Sequence, residues 1–340
     1  MYKLNVLIAG STGYIGIQLI KLLSKHKNVF IKYLCGNTSV GKKISYFDKS
    51  LTSKKLPNIV KFNKSFLKNV DLVFTALPNG EAQDISKHLL KNNVLIDLAA
   101  DFRLQKPQSY FKWYKQKHRA ISKIKNSIYA LPELNSNKIK KFNIISCPGC
   151  YPTSILIPVI PLIKNNLINL KNIIIDSKSG YSGAGRQVHK QYANKNLYES
   201  LSAYGVGFHR HNSEIEQEMN KVTKKKFNFT FIPHLAPMFR GILTTIYIDS
   251  YKKYDIDKIH KCLNQYYKNK IFVKVLKTNT LISTNDVINT NNCHLSVCET
   301  GNKNKYIILS AIDNLIKGGA GQAIQNMNIR FNFTESLGLK

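Results

Sequence analysis

Leu4-Asn5-Val6-Leu7-Ile8-Ala9-Gly10-Ser11-Thr12-Gly13-Tyr14-Ile15-Gly16 decides the fold. After Asn5 the run to Ala9 is continuously apolar, as a strand covered on both faces requires. Glycines follow at G-x-x-G-x-x-G spacing. From Tyr14 to about Lys25, the apolar residues Ile15, Leu19, Ile20, Leu22 and Leu23 fit one helical face. Val29 to Cys35 reads as a second strand. Strand, glycine loop, helix and strand in this order form the context that a dinucleotide fingerprint needs. The glycines let the backbone approach a pyrophosphate at the helix N-terminus. The competing reading is a tight turn with no ligand. Gly10, Ser11, Thr12, Gly13, Tyr14, Ile15 and Gly16 are thus candidate cofactor-binding residues.

An NAD site usually places Asp or Glu about 20 residues further on, against the ribose hydroxyls. The corresponding stretch, Cys35-Gly36-Asn37-Thr38-Ser39-Val40-Gly41-Lys42-Lys43, has no acid. Its hydroxyls (Thr38, Ser39) and lysines suit a 2′-phosphate, so NADP is the expected cofactor. Two more parallel-type strands, Val70 to Ala76 and Asn93 to Leu98, are expected. They end in Leu77-Pro78-Asn79-Gly80 and Ala99-Ala100-Asp101-Phe102-Arg103, where open α/β sheets place ligands. Lys87 to Asn92 is expected to close the helix between them, and Tyr129 to Leu134 to form an ordered loop.

Working outward, the next decisive stretch is Ser146-Cys147-Pro148-Gly149-Cys150-Tyr151-Pro152-Thr153-Ser154. It follows the apolar run Phe142 to Ile145 and leads into Ile155 to Ile163. A strand, a sharp turn and a helix are expected, with Cys150 at the turn-to-helix junction. Pro152 suits a first helical turn. A thiol at a helix N-terminus loses its proton more readily, and the thiolate is the nucleophile. Cys150 is therefore a candidate for attack on a carbonyl carbon. Two plainer readings compete: a buried cysteine that only packs, and a redox pair, because Cys147 and Cys150 form a C-x-x-C. No second C-x-x-C supports zinc, and no metal is expected.

The chain of 340 residues is long enough for two domains. Its six cysteines are too sparse for a disulfide framework, so a reducing cytoplasm is expected. No apolar run reaches membrane-helix length, and the N-terminus has no cleavage-site pattern. The net charge of +32 is large, but the lysines are scattered from end to end. That scatter argues against nucleic acid and still favours anionic small ligands.

In the second half, Asn172 to Ser177 reads as a strand running into the glycine-rich loop Gly180 to Arg186. Gln187 to Ser202 reads as helical. Ser213 with Glu216 has capping-box spacing, so a helix is expected to begin near Glu214, with His209 and His211 in the loop before it. Phe227 to Ile232, Ile242 to Asp249, Lys270 to Leu276 and Tyr306 to Ser310 read as strands of a separate α+β domain. Glycines 318, 319 and 321 open an apolar C-terminal helix. A thiolate needs an acid/base partner, usually His. Of nine histidines, His209 and His211 flank Arg210 in a glycine-approached loop. His189 is a weaker candidate; His26, His88, His118 and His260 read as solvated. A dinucleotide loop with an activated cysteine suggests hydride transfer between nicotinamide and a thioester carbon.

The chain resembles the N-acetyl-gamma-glutamyl-phosphate reductases over nearly its full length. The resemblance rests on Gly10 to Gly16, Leu98 to Leu104, Leu131-Pro132-Glu133-Leu134, Pro148-Gly149-Cys150-Tyr151-Pro152-Thr153, and Ser179 to Arg186. It continues through His209-Arg210-His211, Glu214 to Gln217, His234 to Gly241, and Asp313 to Gln322. The Pro-Gly-Cys-Tyr-Pro-Thr string is the most specific. Cys147, Ala130 and Ser213 depart from the usual family residues. The resemblance implies an α/β chain: an NADP-binding Rossmann-type domain over 1–149, an α+β catalytic and dimerisation domain over 150–312, and a C-terminal helix in 313–340 returning to the first domain. It implies an acyl-phosphate substrate, a Cys150 thioester and a homodimer or homotetramer. One of His209 and His211, with a slight preference for His209, would be the acid/base. Arg103, Ser179 and Arg240 would bind substrate; Asn314 and Gly318 would lie at the cofactor. Aspartate-semialdehyde dehydrogenase is the nearest rival; a non-catalytic Rossmann-type regulator or nucleic-acid-binding protein is the rival of another class.

Overall fold

The computed structural model describes residues 3–186, 199–251 and 256–339. The chain divides into two compact units: Met1–Pro148 with Gly319–Lys340, and Gly149–Gly318.

The first unit is built on a parallel sheet. Its strands are β1 (Leu4–Ala9), β2 (Val29–Cys35), β3 (Ile59–Val60), β4 (Leu72–Thr75), β5 (Val94–Asp97), β6 (Ser127–Tyr129) and β7 (Ile144–Ser146), in the order β3-β2-β1-β4-β5-β7-β6. Every pairing is parallel. The winding direction reverses between β1 and β4, whose ends Ala9 and Thr75 are register partners. That reversal is where open α/β sheets leave a ligand crevice. The strands are apolar because both faces are covered: Val6, Leu7 and Ile8, like Leu72, Val73 and Phe74, have no exposed surface. Helix α1 (Tyr14–Leu23) buries Ile17, Leu19, Ile20 and Leu23. Helices α2 (Glu81–Lys87), α3 (Pro107–Tyr114), α4 (Ile121–Ile124) and α5 (Pro132–Ile139) complete the first stretch of chain. The C-terminal helix Gly321–Arg330 joins this unit, with Gln325 Nε2 donating to Glu133 Oε1 at 2.8 Å.

The second unit opens with α6 (Cys150–Lys164). Its sheet contains β8 (Ile173–Gly180), β9 (Ser202–Ala203), β10 (Phe229–Ala236), β11 (Ile242–Asp249), β12 (Val273–Val275), β13 (Cys293–Glu299) and β14 (Lys305–Ile312). The order is β12-β13-β14-β11-β8-β10-β9. This sheet is mixed: β8 runs parallel to β10 and antiparallel to β11. Helices α7 (His211–Val222) and α8 (Ile256–Tyr267), like β11 and β14, pack on α6. Helix α6 is buried from Tyr151 to Ile163. Pro161 lacks the N–H that would bond Ile157 O, and the Tyr267 hydroxyl donates to that carbonyl instead. Outward-facing Ile174 and Tyr247 are exposed.

Several local expectations change. Helix α2 ends at Lys87, so Lys87 to Asn92 is mostly turn. Tyr129 to Leu134 ends β6 and starts α5; Pro132 opens that helix because its missing N–H is one the first turn leaves unbonded anyway. Ser213 does not cap a helix: its hydroxyl donates to Arg210 O, and α7 already begins at His211. Only His209 is therefore in the preceding loop. His26 and His118 are buried rather than solvated, each ring bonded inside the first unit. Strand β13 and helix α8 were not foreseen. Of the helix expected over 187–202, residues 187–198, with His189, lie outside the described residues, and Ser202 begins β9.

Candidate active site

In the first unit, the glycine loop turns tightly at the end of β1. Gly10 has φ +85°, and a Cβ there would stand 2.2 Å from Ala76 O. Only glycine lets this loop lie so close to the end of β4. The Gly10 and Ser11 N–H groups and the Ser11 hydroxyl all donate to Cys35 O at 3.1 Å. Ser11 is thereby turned inward and fully buried, whereas Thr12, Gly13, Tyr14 and Ile15 are partly exposed. Gly13 caps α1 with no side-chain hydrogen bond, and the first turn of that helix has no acid. A cavity of about 330 Å³ adjoins the loop, lined in part by Gly10, Gly36, Asn37, Lys61, Leu77 and His88. Thr38 is exposed and Ser39 is buried, so the two hydroxyls are not equivalent. Lys61, which sequence reading passed over, follows β3, a two-residue strand with little pattern to announce it. The loop and cavity fit a dinucleotide: backbone exposed at a helix start, a cation near the second strand, and a volume within the range of ligand pockets.

Arg103, in the same unit, donates from Nε to Cys147 O at 2.8 Å and from Nη2 to Leu98 O at 3.2 Å. Asp97 accepts from Thr75 Oγ1, Ala99 N and Phe102 N. Burial, then the Asp101 charge, holds the Asp97 carboxyl above the usual carboxylate range. Cys147 is 1% exposed, and burial pushes its thiol up to about 12. A thiol so protonated is a poor partner for exchange.

In the second unit, Gly149 caps α6 with φ −65° and ψ 159°, and Cys150 is the first helical residue, half-buried. The fifteen-residue helix directs its N–H groups and partial positive charge toward this end. None of the six cysteines is in a disulfide. Gly318 lies against the nucleophile candidate: a Cβ on it would approach Cys150 Cβ to 2.6 Å. The structure thus puts Gly318 beside the thiol-bearing residue.

Three residues of α7 and its approach surround the cap. Glu214 is fully buried and its Oε2 accepts from Gly149 N at 2.9 Å. Its Oε1 is 3.8 Å from His211 Nε2. That nitrogen occupies the place a Cβ of residue 149 would take, 2.2 Å from the ideal position. His211 therefore leans on the backbone just before Cys150. His209 Nδ1 accepts from His211 N at 3.2 Å. The His209 ring is boxed by Tyr151, Tyr204 and Phe231, with centroids 5.6, 5.4 and 5.6 Å away. Burial, then the nearby Arg210 charge, lowers its pKa to about 4. His209 is neutral at neutral pH. Tyr204 donates to the Tyr151 hydroxyl at 3.0 Å, which donates to His234 O at 3.2 Å. Glu214 was not foreseen as a site residue; its spacing, three residues after His211, was the available signal.

Ser179 is buried at the end of β8, its hydroxyl donating to Gly180 O. Asn314 is buried, accepting from Gly241 N at 2.7 Å and donating to Ser182 Oγ at 2.9 Å. Both ends of its amide thus meet the protein. Arg240 Nε lies 3.4 Å from the buried Asp313 Oδ2, and its Nη1 donates to Asn289 Oδ1. Cys150, Gly318, His209 and His211 cluster at the start of α6; in the same unit Ser179 lies at the end of β8, Arg240 just before β11 and Asn314 just after β14.

Two family models match. One described as semialdehyde dehydrogenase, NAD binding domain, spans residues 5–142. One described as semialdehyde dehydrogenase, dimerisation domain, spans residues 150–314. An N-acetyl-gamma-glutamyl-phosphate reductase of Clostridium botulinum is 42% identical over 99% of this chain and 98% of its own. One from Clostridium beijerinckii is 43% identical over 100% and 98%. A probable chloroplastic one from Arabidopsis thaliana is 39% identical over 98% and 83%. Among solved structures, aspartate semialdehyde dehydrogenase II of Vibrio cholerae superposes with TM-score 0.72 at 16% identity, covering 98% of this chain and 99% of its own. The Candida albicans aspartate semialdehyde dehydrogenase, solved with NADP, gives 0.66 at 18%, covering 96% and 98%. The structural matches show the fold, and the sequence matches show the family: with a thiol at a helix start in one unit and a glycine-loop sheet in the other, this chain belongs to the N-acetyl-gamma-glutamyl-phosphate reductases within the semialdehyde dehydrogenases.

Proposed function

We propose that the protein reduces N-acetylglutamyl 5-phosphate to N-acetylglutamate 5-semialdehyde and phosphate, using NADPH, as a step of arginine synthesis. The observation that carries this reading is Cys150 at the first position of α6, with His211 and Glu214 against the preceding residue.

The Cys150 sulfur attacks the acyl carbon; a C–S bond forms and the C–O bond to phosphate breaks, phosphate leaving with the electron pair. The glycine loop from Gly10 to Gly16 would hold NADPH, which would supply the hydride that reduces the thioester. The helix terminus stabilises the anionic sulfur before attack and after release. His211 Nε2 gives a proton to the hemithioacetal oxygen and takes it back as the C–S bond breaks, which returns the thiolate and the aldehyde. His211 suits this role better than His209, because His209 is boxed by aromatic rings and committed at Nδ1 to the His211 backbone. Ser179, Arg240 and Arg103 recognise the carboxylate and phosphate of the substrate. Lys61 and Thr38 are the groups available to a 2′-phosphate.

The protein is expected to act as a homodimer or homotetramer in the cytoplasm, without nucleic acid. No helix among the described residues is long and apolar enough to cross a membrane. The deciding experiment is phosphate-dependent, NADP-linked oxidation of N-acetylglutamate semialdehyde, run beside aspartate semialdehyde. Turnover of the acetylated substrate alone supports the reading; turnover of aspartate semialdehyde alone moves the chain to the rival enzyme.

A further inference from the structure

Asn289 sits in the loop before β13 with φ +62°, left-handed backbone that asparagine tolerates better than most residues. Its N–H donates to Asp313 Oδ2 at 2.8 Å, and its Oδ1 accepts from Arg240 Nη1. The same Asp313 Oδ2 lies 3.4 Å from Arg240 Nε. These three residues close a triangle: the carboxylate accepts from the Asn289 backbone and forms an ion pair, without a hydrogen bond, with the guanidinium at Nε, and the Asn289 side chain accepts from Nη1. A second tie runs beside it, Gly241 N donating to Asn314 Oδ1 at 2.7 Å. Asp313 has no exposed surface, and its other oxygen accepts from Leu315 N and Ile316 N. The carboxylate is therefore fixed, and it fixes what it touches.

We propose that Asn289 is a positioning residue for substrate binding: it sets the plane of the Arg240 guanidinium, in concert with Asp313, for the oxyanion of the acyl phosphate. The assignment rests on the proposed role of Arg240. A guanidinium has a planar fork of donors, so recognition of an oxyanion depends on its orientation as well as its charge. One hydrogen bond from Nη1 to Asn289, added to the ion pair of Nε with Asp313, restricts the rotations that a long side chain otherwise keeps. The left-handed backbone of residue 289 is what allows one residue to offer N–H to Asp313 and side-chain oxygen to Arg240.

The test is steady-state kinetics of the full-length enzyme with Asn289→Gly, Asn289→Asp and Arg240→Gln, singly and combined. Glycine keeps the left-handed backbone and removes the acceptor. Asn289→Gly is expected to raise KM for the acyl phosphate roughly tenfold, a charge-assisted hydrogen bond's worth, with kcat and KM for NADPH within about twofold. Asn289→Asp keeps an acceptor and is expected to restore KM. In the Arg240→Gln background, Asn289→Gly should add nothing, because the effect passes through Arg240. An unchanged KM in Asn289→Gly, or an equal rise with and without Arg240, overturns the proposal. If Arg240→Gln itself leaves KM unchanged, the arginine's role fails; if the parent protein does not turn over the acyl phosphate, the function fails.

Discussion

Two helix starts in this chain have the same local design and different partners. Helices α1 and α6 each follow a buried strand, each is capped by an extended glycine, and neither cap has a side-chain hydrogen bond. Neither has an acid in its first turn. At α6 the Gly149 N–H is taken by the buried carboxylate of Glu214, 65 residues away. At α1 the N–H groups of the preceding Gly10 and Ser11 are both spent on Cys35 O, within the first unit. The same motif is therefore proposed to serve as a phosphate cradle in one place and as a seat for a nucleophile in the other. What separates them is the residue that a distant segment brings to the cap.

That contrast can be broken most decisively at Cys150. Cys150→Ser is expected to lower reductase turnover by at least about a thousandfold while NADPH affinity, read by fluorescence titration, stays within about twofold. A matched loss of both would show that the two helix starts are not separable.

Two glycine changes sharpen the comparison next. Gly10→Ala forces a side chain into Ala76 O at a left-handed φ, and is expected to weaken NADPH binding more than tenfold and destabilise the protein by roughly 1–3 kcal/mol. Gly318→Ala meets Cys150 Cβ at 2.6 Å, and should lower kcat about 10–100-fold with little change in NADPH affinity. Exchange of the two phenotypes would overturn the assignment of the loops.

Glu214→Gln keeps an acceptor for Gly149 N and removes the charge beside His211. A fall in kcat of roughly tenfold is expected, with the melting temperature nearly unchanged. Unaltered kcat would mean that the carboxylate only holds the turn.

The smallest effect concerns His209. Its folded pKa, about 4, lies below its ordinary value of 6.5, so the unfolded chain takes up the proton first as pH falls. The stability linked to this ring is fully present above pH 6.5 and is lost as pH drops from 6.5 toward 4. The slope is at most about 1.4 kcal/mol per pH unit. Urea midpoints measured across that window should flatten in His209→Gln; an unchanged slope would assign the acid sensitivity elsewhere.

Where hydrophobic period and glycine spacing agree, the sequence was legible. Strands β1, β2 and β11 have the expected ends, because each is a long apolar or alternating run bounded by turn residues. Cys150 falls at the helix start because Pro148, Gly149 and Pro152 leave few other conformations. The errors have equally local causes. Ser213 and Glu216 have capping-box spacing, yet the helix starts three residues before the expected Glu214, where His211 packs on Gly149. His26 and His118 lie among polar residues in sequence and are buried by segments from elsewhere in the first unit.

The sequence by itself determined the two kinds of sheet, the helix start under Cys150 and the family. These are set by short-range patterns: period, backbone freedom and missing N–H groups. Only the tertiary structure decided that Glu214 holds the Gly149 cap, that His209 is boxed and neutral, and that Asp313 and Asn289 grip Arg240. Each of these depends on burial and on partners tens of residues away, and neither is written in local spacing.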